Sequence, residues 1–231
     1  MNYAIVLSGG TGTRTGLHVP KQYYKVNGKP IVSYVIDTLE KSDSIDGIVI
    51  VAASEWQNII QKSTVGNKKI IGFCEPGENR QLSIYHGLLK LKSIAKEDDI
   101  VLIQDAARPN TTAELIEKCI QSAERADGAM PTLKMKDTIY LSGNGTRVDS
   151  LLNRNQLFAG QAPEAFSYGK YLKANEKLLP EKILQINGST EPAILSGMHI
   201  AIIDGEEKNY KITTAADLEH FCAQMKEGEG K

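Results

Sequence analysis

The residues best equipped for chemistry stand near the N-terminus. From Leu7 to Lys21 the chain reads Leu-Ser-Gly-Gly-Thr-Gly-Thr-Arg-Thr-Gly-Leu-His-Val-Pro-Lys. The run follows an apolar stretch, residues 3–7, that reads as a buried first strand, so its glycines fall where a strand hands over to a loop. Gly9, Gly10 and Gly12 let the backbone approach a ligand closely, and Ser8, Thr11 and Thr13 add hydroxyl donors beside the exposed N–H groups. Arg14 and Lys21 bring fixed positive charge. Donors and cations at a strand end suit phosphate, and the spacing narrows the phosphate chemistry.

Two familiar uses of such a loop fail on spacing. A Walker loop ends in Gly-Lys-Ser/Thr, whereas Gly28-Lys29 is followed here by Pro30. A dinucleotide fingerprint aligned on Gly10 and Gly12 needs its third glycine at 15, where Thr15 stands, with Gly16 one residue late. What remains is a loop in which side-chain cations join the backbone in holding a triphosphate. An ordinary glycine-rich turn with solvated charges is the competing reading.

A second candidate is Asp105, just beyond the apolar run 99–103. A carboxylate at the end of a buried strand is costly unless it binds a cation or is hydrogen-bonded. Mg²⁺ shared with phosphate oxygens is the expected partner. No Ser/His/Asp or Cys/His constellation is visible, and the four histidines are scattered; only His18, close to Lys21, stays open for a role at the site. Transfer of a nucleotidyl group needs none of these, because its barrier falls mainly by positioning and charge neutralisation. An acceptor phosphate, with a second pKa of about 6, is largely a dianion at neutral pH and requires no general base.

The elements that must position these residues follow from periodicity. Residues 30–39 and 55–62 have helical spacing, 47–53 and 69–73 read as strands, and a further helix follows Arg80. Residues 99–103 form the next strand, and a helix capped by Thr111 or Thr112 runs to 126. This βα alternation predicts an α/β, Rossmann-like, mainly parallel sheet with helices on both faces and its ligand crevice beyond the strands' C-terminal ends. Residues 130–141 and 147–158 lack helical periodicity and flank Ser-Gly-Asn-Gly at 142–145, so 130–158 reads as a projecting β-arm and a dimerisation element. A surface hairpin on a monomer is the alternative. Residues 166–179 read as helix, 199–203 as strand, 208–212 as extended, and 215–225 as a last helix capped by Thr213 or Thr214, before a frayed tail at 226–231. The 231 residues form one domain on this reading.

Several segments, in order, resemble the 2-C-methyl-D-erythritol 4-phosphate cytidylyltransferase family, which also contains the ribitol-5-phosphate cytidylyltransferases. They are the loop 8–14, Pro20-Lys21-Gln22-Tyr23, residues 77–83, Asp105-Ala106-Ala107-Arg108-Pro109, Gln161-Ala162-Pro163 and Asn209-Tyr210-Lys211-Ile212-Thr213. The resemblance covers nearly the whole chain. It implies CTP as co-substrate with Mg²⁺, and gives Arg14 and Lys21 the neutralisation of the α-phosphate. It also implies that Leu7, the loop glycines, Asp105, Ala106 and Arg108 border the nucleotide, with Gly77, Glu78 and Ser83 near base and ribose. Thr138, Arg154 and Lys211 then hold a small polyol phosphate, the first two from an arm that clasps a second subunit. The family's metal-binding Asp before that lysine is replaced here by Glu206, Glu207 and Lys208.

Composition sets the remaining bounds. Lys and Arg number 27 against 28 Asp and Glu, a net charge of −1, which offers no footprint for nucleic acid or an anionic membrane. Three cysteines without metal spacing read as free thiols of a reducing compartment, and no leader or spanning segment is visible, so a cytoplasmic protein is expected. The leading function is transfer of CMP from CTP to a polyol phosphate. Trp56, Phe158-Ala-Gly-Gln161 and Gly205-Glu206 look like the ribitol 5-phosphate branch, and Ser189-Thr-Glu-Pro-Ala193 like the methylerythritol branch of isoprenoid precursor synthesis. A non-catalytic nucleotide-binding protein and a sugar-1-phosphate nucleotidyltransferase are the alternatives from other classes.

Overall fold

Alternate residues of the first strand face two separate cores, and the helices sort to either side accordingly. The computed structural model describes residues 1–11 and 18–229, so Gly12, Thr13 and Arg14 lie outside the described residues. Strand β1 (Asn2–Leu7) is followed by a two-stranded ribbon, β2 (Lys25–Val26) and β3 (Lys29–Pro30), then α1 (Ile31–Lys41), β4 (Gly47–Val51), α2 (Ser54–Ser63), β5 (Ile70–Cys74), α3 (Arg80–Leu91), β6 (Ile100–Asp105) and α4 (Ala113–Glu124). Ala4 and Val6 of β1 pack with Ile48 and Ile50 of β4 against α1, α2 and α4. Tyr3 and Ile5 pack with Val49, Val51 and Val101 against α3 and against the later α5 (Tyr168–Glu176). Strands buried on both faces need apolar residues at every position, which is why they read as unbroken Val/Ile runs.

With the later strands β7 (Gly128–Lys134), β10 (Phe158–Gly160), β11 (Glu164–Ser167) and β12 (Ile200–Asp204), the strand order is β10-β7-β11-β6-β1-β4-β5, with β12 on the other edge of β7. Strands β5, β4, β1 and β6 are parallel neighbours. The chain moves from β1 outward through β4 to β5, then returns with β6 to the opposite side of β1. This reversal leaves a crevice beyond the ends of β1 and β6, where Leu7 and Asp105 are register partners.

Beyond α4 the expected arm divides. Strand β7 (Gly128–Lys134) and β10 (Phe158–Gly160) pair antiparallel as part of the central sheet. Only β8 (Ile139–Leu141) and β9 (Ser150–Leu152) form a separate hairpin around the turn at 142–145. The projecting segment is therefore shorter than 130–158, because its base is hydrogen-bonded into the sheet. Residues 164–167, partly expected as helix, form β11 (Glu164–Ser167), antiparallel to both β6 and β7. Helix α5 starts immediately after it. Short α6 (Glu191–Leu195), β12 (Ile200–Asp204) and α7 (Ala215–Glu229) complete the chain. Residues 208–212 join no strand, and α7 continues through most of the expected tail.

Side-chain caps explain three of the helix starts. Asn79 accepts the Leu82 N–H at 2.8 Å to open α3, and Thr112 accepts the Leu115 N–H at 3.1 Å to open α4. Thr214 and Asp217 cap α7 reciprocally, the threonine accepting the Asp217 N–H and the carboxylate accepting the Thr214 N–H.

Candidate active site

The crevice at the strand reversal is a cleft of about 650 Å³. One wall is the end of β1 and the loop after it, through Leu7, Gly9, Gly10 and Thr11; the other is the loop between β5 and α3 with the first turn of α3, through Gly77, Glu78, Arg80 and Ser83. Lys21, Asp105, Ala106 and Lys211 also line it. Four segments far apart in sequence thus meet, and most of the expected nucleotide-binding residues are among them. Gly9 is required by the closeness of the walls: a Cβ there would come within 2.4 Å of Pro76 Cβ.

The 21–23 turn organises the loop from behind. The Gln22 amide donates to the carbonyls of Ser8 at 2.8 Å and Gly10 at 2.6 Å, and Tyr23 Oη donates to the Ser8 carbonyl at 2.6 Å. Carbonyls that would repel a phosphate are thereby turned into the protein. Tyr23 is itself stacked on Trp56, ring centroids 4.6 Å apart. Ser8 departs from the expectation of a ligand contact. Its N–H donates to Val51 and its hydroxyl to Tyr23 Oη, so it braces the loop instead of facing the cleft.

Asp105 sits among three cations. Arg80 Nη2 lies 3.1 Å from Oδ1, while Lys211 Nζ and Arg108 Nε lie 2.9 and 3.4 Å from Oδ2. Burial alone would raise the Asp105 pKa, but Arg80, Lys211 and Arg108 together hold it well below the usual carboxylate range. Burial also disfavours the charge on Arg80, yet Asp105 and then Glu164 outweigh it and raise the Arg80 pKa. The expected metal role of Asp105 does not fit this arrangement, because both carboxylate oxygens are already engaged by cations. Glu206 accepts a hydrogen bond from Thr112, Glu207 pairs with Lys136, and neither lines the cleft. Among the described residues no three His, Cys, Asp or Glu side chains gather as a metal site requires.

Arg108 and Lys211 are fixed by an asparagine whose part is not legible in the sequence. Asn209, fully buried, donates to the Ala162 carbonyl at 2.7 Å and accepts from Thr111 Oγ1 at 3.0 Å. Its own carbonyl accepts from Arg108 Nη1 at 2.6 Å, and a few residues further Ile212 N–H donates to Ala107. The segment carrying Lys211 is thus stitched onto the segment that follows Asp105. Arg108 braces that junction and does not line the cleft. Thr138 and Arg154 are not brought to the cleft within one chain; they line a separate cavity of about 440 Å³ on the arm.

A glycine-rich loop and converging cations at the reversal point of a parallel sheet define an α/β protein of the nucleotide-binding class. The chain belongs to the 2-C-methyl-D-erythritol 4-phosphate cytidylyltransferase (IspD) family, whose model matches residues 2–227; members of this family are CTP-dependent nucleotidyltransferases. It is 36% identical over 221 residues to the 2-C-methyl-D-erythritol 4-phosphate cytidylyltransferase of Clostridium acetobutylicum, covering 94% of each chain. It is 29% identical over 228 residues to the ribitol-5-phosphate cytidylyltransferase of Streptococcus agalactiae serotype V, covering 96% of this chain and 94% of the other. Among solved structures it resembles 4-diphosphocytidyl-2C-methyl-D-erythritol synthase of Anaerococcus prevotii, with a TM-score of 0.83, 25% identity, and 97% and 96% of the two chains covered.

Proposed function

We propose that the protein transfers CMP from CTP to D-ribitol 5-phosphate, releasing pyrophosphate and forming a CDP-polyol. An oxygen of the acceptor phosphate attacks the α-phosphorus, a new P–O bond forms, and the bond to the β-phosphate oxygen breaks. The observation that carries this reading is the cleft at the strand reversal, where Lys21, Arg80 and Lys211 converge behind a glycine-rich loop. Lys21 and Arg80 neutralise charge that grows on the α-phosphate and on the departing pyrophosphate, and Lys211 meets the acceptor phosphate. Arg14, in the same loop, is assigned to this neutralisation with Lys21. We assign Mg²⁺ to the substrate, bound by triphosphate oxygens, where it screens their charge.

The second reading, transfer to 2-C-methyl-D-erythritol 4-phosphate, is favoured by the higher identity to the C. acetobutylicum enzyme. Trp56, the Phe158-Ala-Gly-Gln161 segment and Gly205-Glu206, which resemble the ribitol 5-phosphate branch, favour ribitol. Incubation with Mg²⁺, CTP and each acceptor in turn, with pyrophosphate measured, decides between them. Pyrophosphate from neither acceptor overturns both readings.

The acceptor site is proposed to be shared between two copies. Thr138 and Arg154 stand on the arm, and that arm exposes Tyr140, Leu141, Val148 and Leu151, which a second subunit would cover. No helix among the described residues is long and apolar enough to cross a membrane. Three free cysteines support the cytoplasm as the compartment.

A further inference from the structure

Behind the cleft lies a carboxylate that the transfer chemistry above does not use. Glu164 opens β11, the antiparallel strand beside β6, and is almost fully buried without lining the cleft. The hydroxyls of Ser189 and Thr190 both donate to it, Thr190 Oγ1 at 2.7 Å from Oε1. Its Oε2 lies 3.9 Å from Arg80 Nη2, the nitrogen that also reaches Asp105. One guanidinium on the cleft wall is therefore held between two buried carboxylates on adjacent strands.

We propose that Glu164 is a positioning residue for the transfer reaction: fixed by Ser189 and Thr190, it acts with Asp105 as a second anchor that holds the Arg80 guanidinium in one orientation, directed at bound phosphate. The proposal rests on the cytidylyl-transfer reading. Without Glu164, Arg80 keeps Asp105 as its single anionic partner and its guanidinium is free to turn about that one contact, away from the phosphate. The other polar and ionisable groups around Glu164 are consistent with this role. Asp105 and Arg108 face it from β6 and the following loop, Tyr171 from α5 and the Cys119 thiol from α4. Neither Tyr171 nor Cys119 is a cation, and Arg108 is already bound to Asp105 and Asn209. Arg80 is thus the partner through which a charge at 164 acts. Burial pushes the Glu164 carboxyl up to about 7, against the opposing pull of Arg80.

The test is a double-mutant cycle of Glu164→Gln and Arg80→Gln, read both as kcat/KM for CMP transfer and as stability in urea at about pH 8. Each single variant is expected to lower kcat/KM roughly tenfold, and the double variant to lie near either single one, because the glutamate acts through the arginine. Thr190→Val, which removes one hydroxyl from Glu164 and leaves both charges, is expected to give a smaller loss in kcat/KM that vanishes in the Arg80→Gln background. Multiplying losses in the double variant, or unchanged turnover in a folded Glu164→Gln protein, overturns the proposal. Should the wild-type protein transfer no CMP at all, the functional reading falls and the positioning role with it. The stability cycle then still judges the pairing itself: additive losses there show that Arg80 and Glu164 are not coupled. If Glu164→Gln does not fold, Thr190→Val measured with and without Arg80→Gln decides the matter by the same criterion.

Discussion

Lys211 Nζ and Asp105 Oδ2 are 2.9 Å apart although the two residues belong to opposite halves of the chain. The contact joins the segment before the last helix to the end of a central strand, and it fixes one of the cations proposed to meet the acceptor phosphate. Replacing Asp105 by Asn leaves Arg80, Arg108 and Lys211 crowded round a neutral group. Breaking a buried ionic cluster by removing one charge typically costs about 3–5 kcal/mol. Urea unfolding of Asp105→Asn should show a loss of that order, together with a fall in turnover.

Lys21 lines the cleft from the turn that also braces the loop. Removing a charge partner of the transition state costs a few kcal/mol, and each 1.36 kcal/mol is about tenfold in rate. Lys21→Ala should lower kcat by roughly a hundredfold or more, with unfolding little changed. Arg14→Ala is expected to behave likewise. Near-normal turnover in either variant removes that residue from the mechanism.

Gly9→Ala tests the closeness of the cleft walls. The added methyl meets Pro76 in the opposite loop, so one wall must yield. A rise in KM for CTP of about tenfold is expected, since a small displacement of a positioning loop costs one to two orders of magnitude. An unaltered KM would show that the loops separate freely.

The two buried carboxylates give opposite pH dependences. Asp105 has its pKa depressed on folding, so its contribution to stability is fully present above the ordinary carboxylate range and is lost as the pH falls below it. Glu164 is raised from 4.5 to about 7, so the folded chain holds the extra proton between those values. Stability from this group therefore declines as the pH rises through that window. Unfolding free energies measured between about pH 5 and pH 8 should decline less in Glu164→Gln than in the wild type. Parallel curves would place the carboxyl's titration elsewhere.

Sharing of sites between subunits is open to complementation. An Arg154→Ala chain mixed with a Lys21→Ala chain should recover part of the activity, because some mixed dimers contain one site with both residues intact. A monomer by sedimentation, or no recovery after verified subunit exchange, leaves the arm as a surface feature.

Much of the first half of the fold is legible in the sequence because its strands are apolar runs, its helices carry helical periodicity, and α3 and α4 open on side-chain caps. Strand β11 is not: Glu164 to Ser167 is only four residues long and passes into α5 without a break, so its apolar members merge with the helical pattern. Strand β7 reads as part of the arm because it leads toward the strong turn at 142–145, and only pairing with β11 and β12 reveals it as part of the sheet. Cleft residues on the glycine loop can be read from local spacing. The cations around Asp105 cannot, since Arg80 and Lys211 reach it across 25 and 106 positions of sequence. Gln22 and Asn209 stand in recognisable motifs, but their work is done on backbone carbonyls of other loops, which no spacing announces.

The strand reversal has a consequence for biosynthesis. Strand β1 leaves the ribosome well before β6, and the edge that aligns Asn2 with Ile100 and Leu7 with Asp105 stays unpaired until β6 has also emerged. Lys211, the last cation of the cleft, follows only after β12. A nascent chain stopped shortly before that lysine carries the glycine loop but an incomplete site, so half-made copies should not turn CTP over. Ribosome-bound chains released at successive lengths should gain transfer activity in one late step.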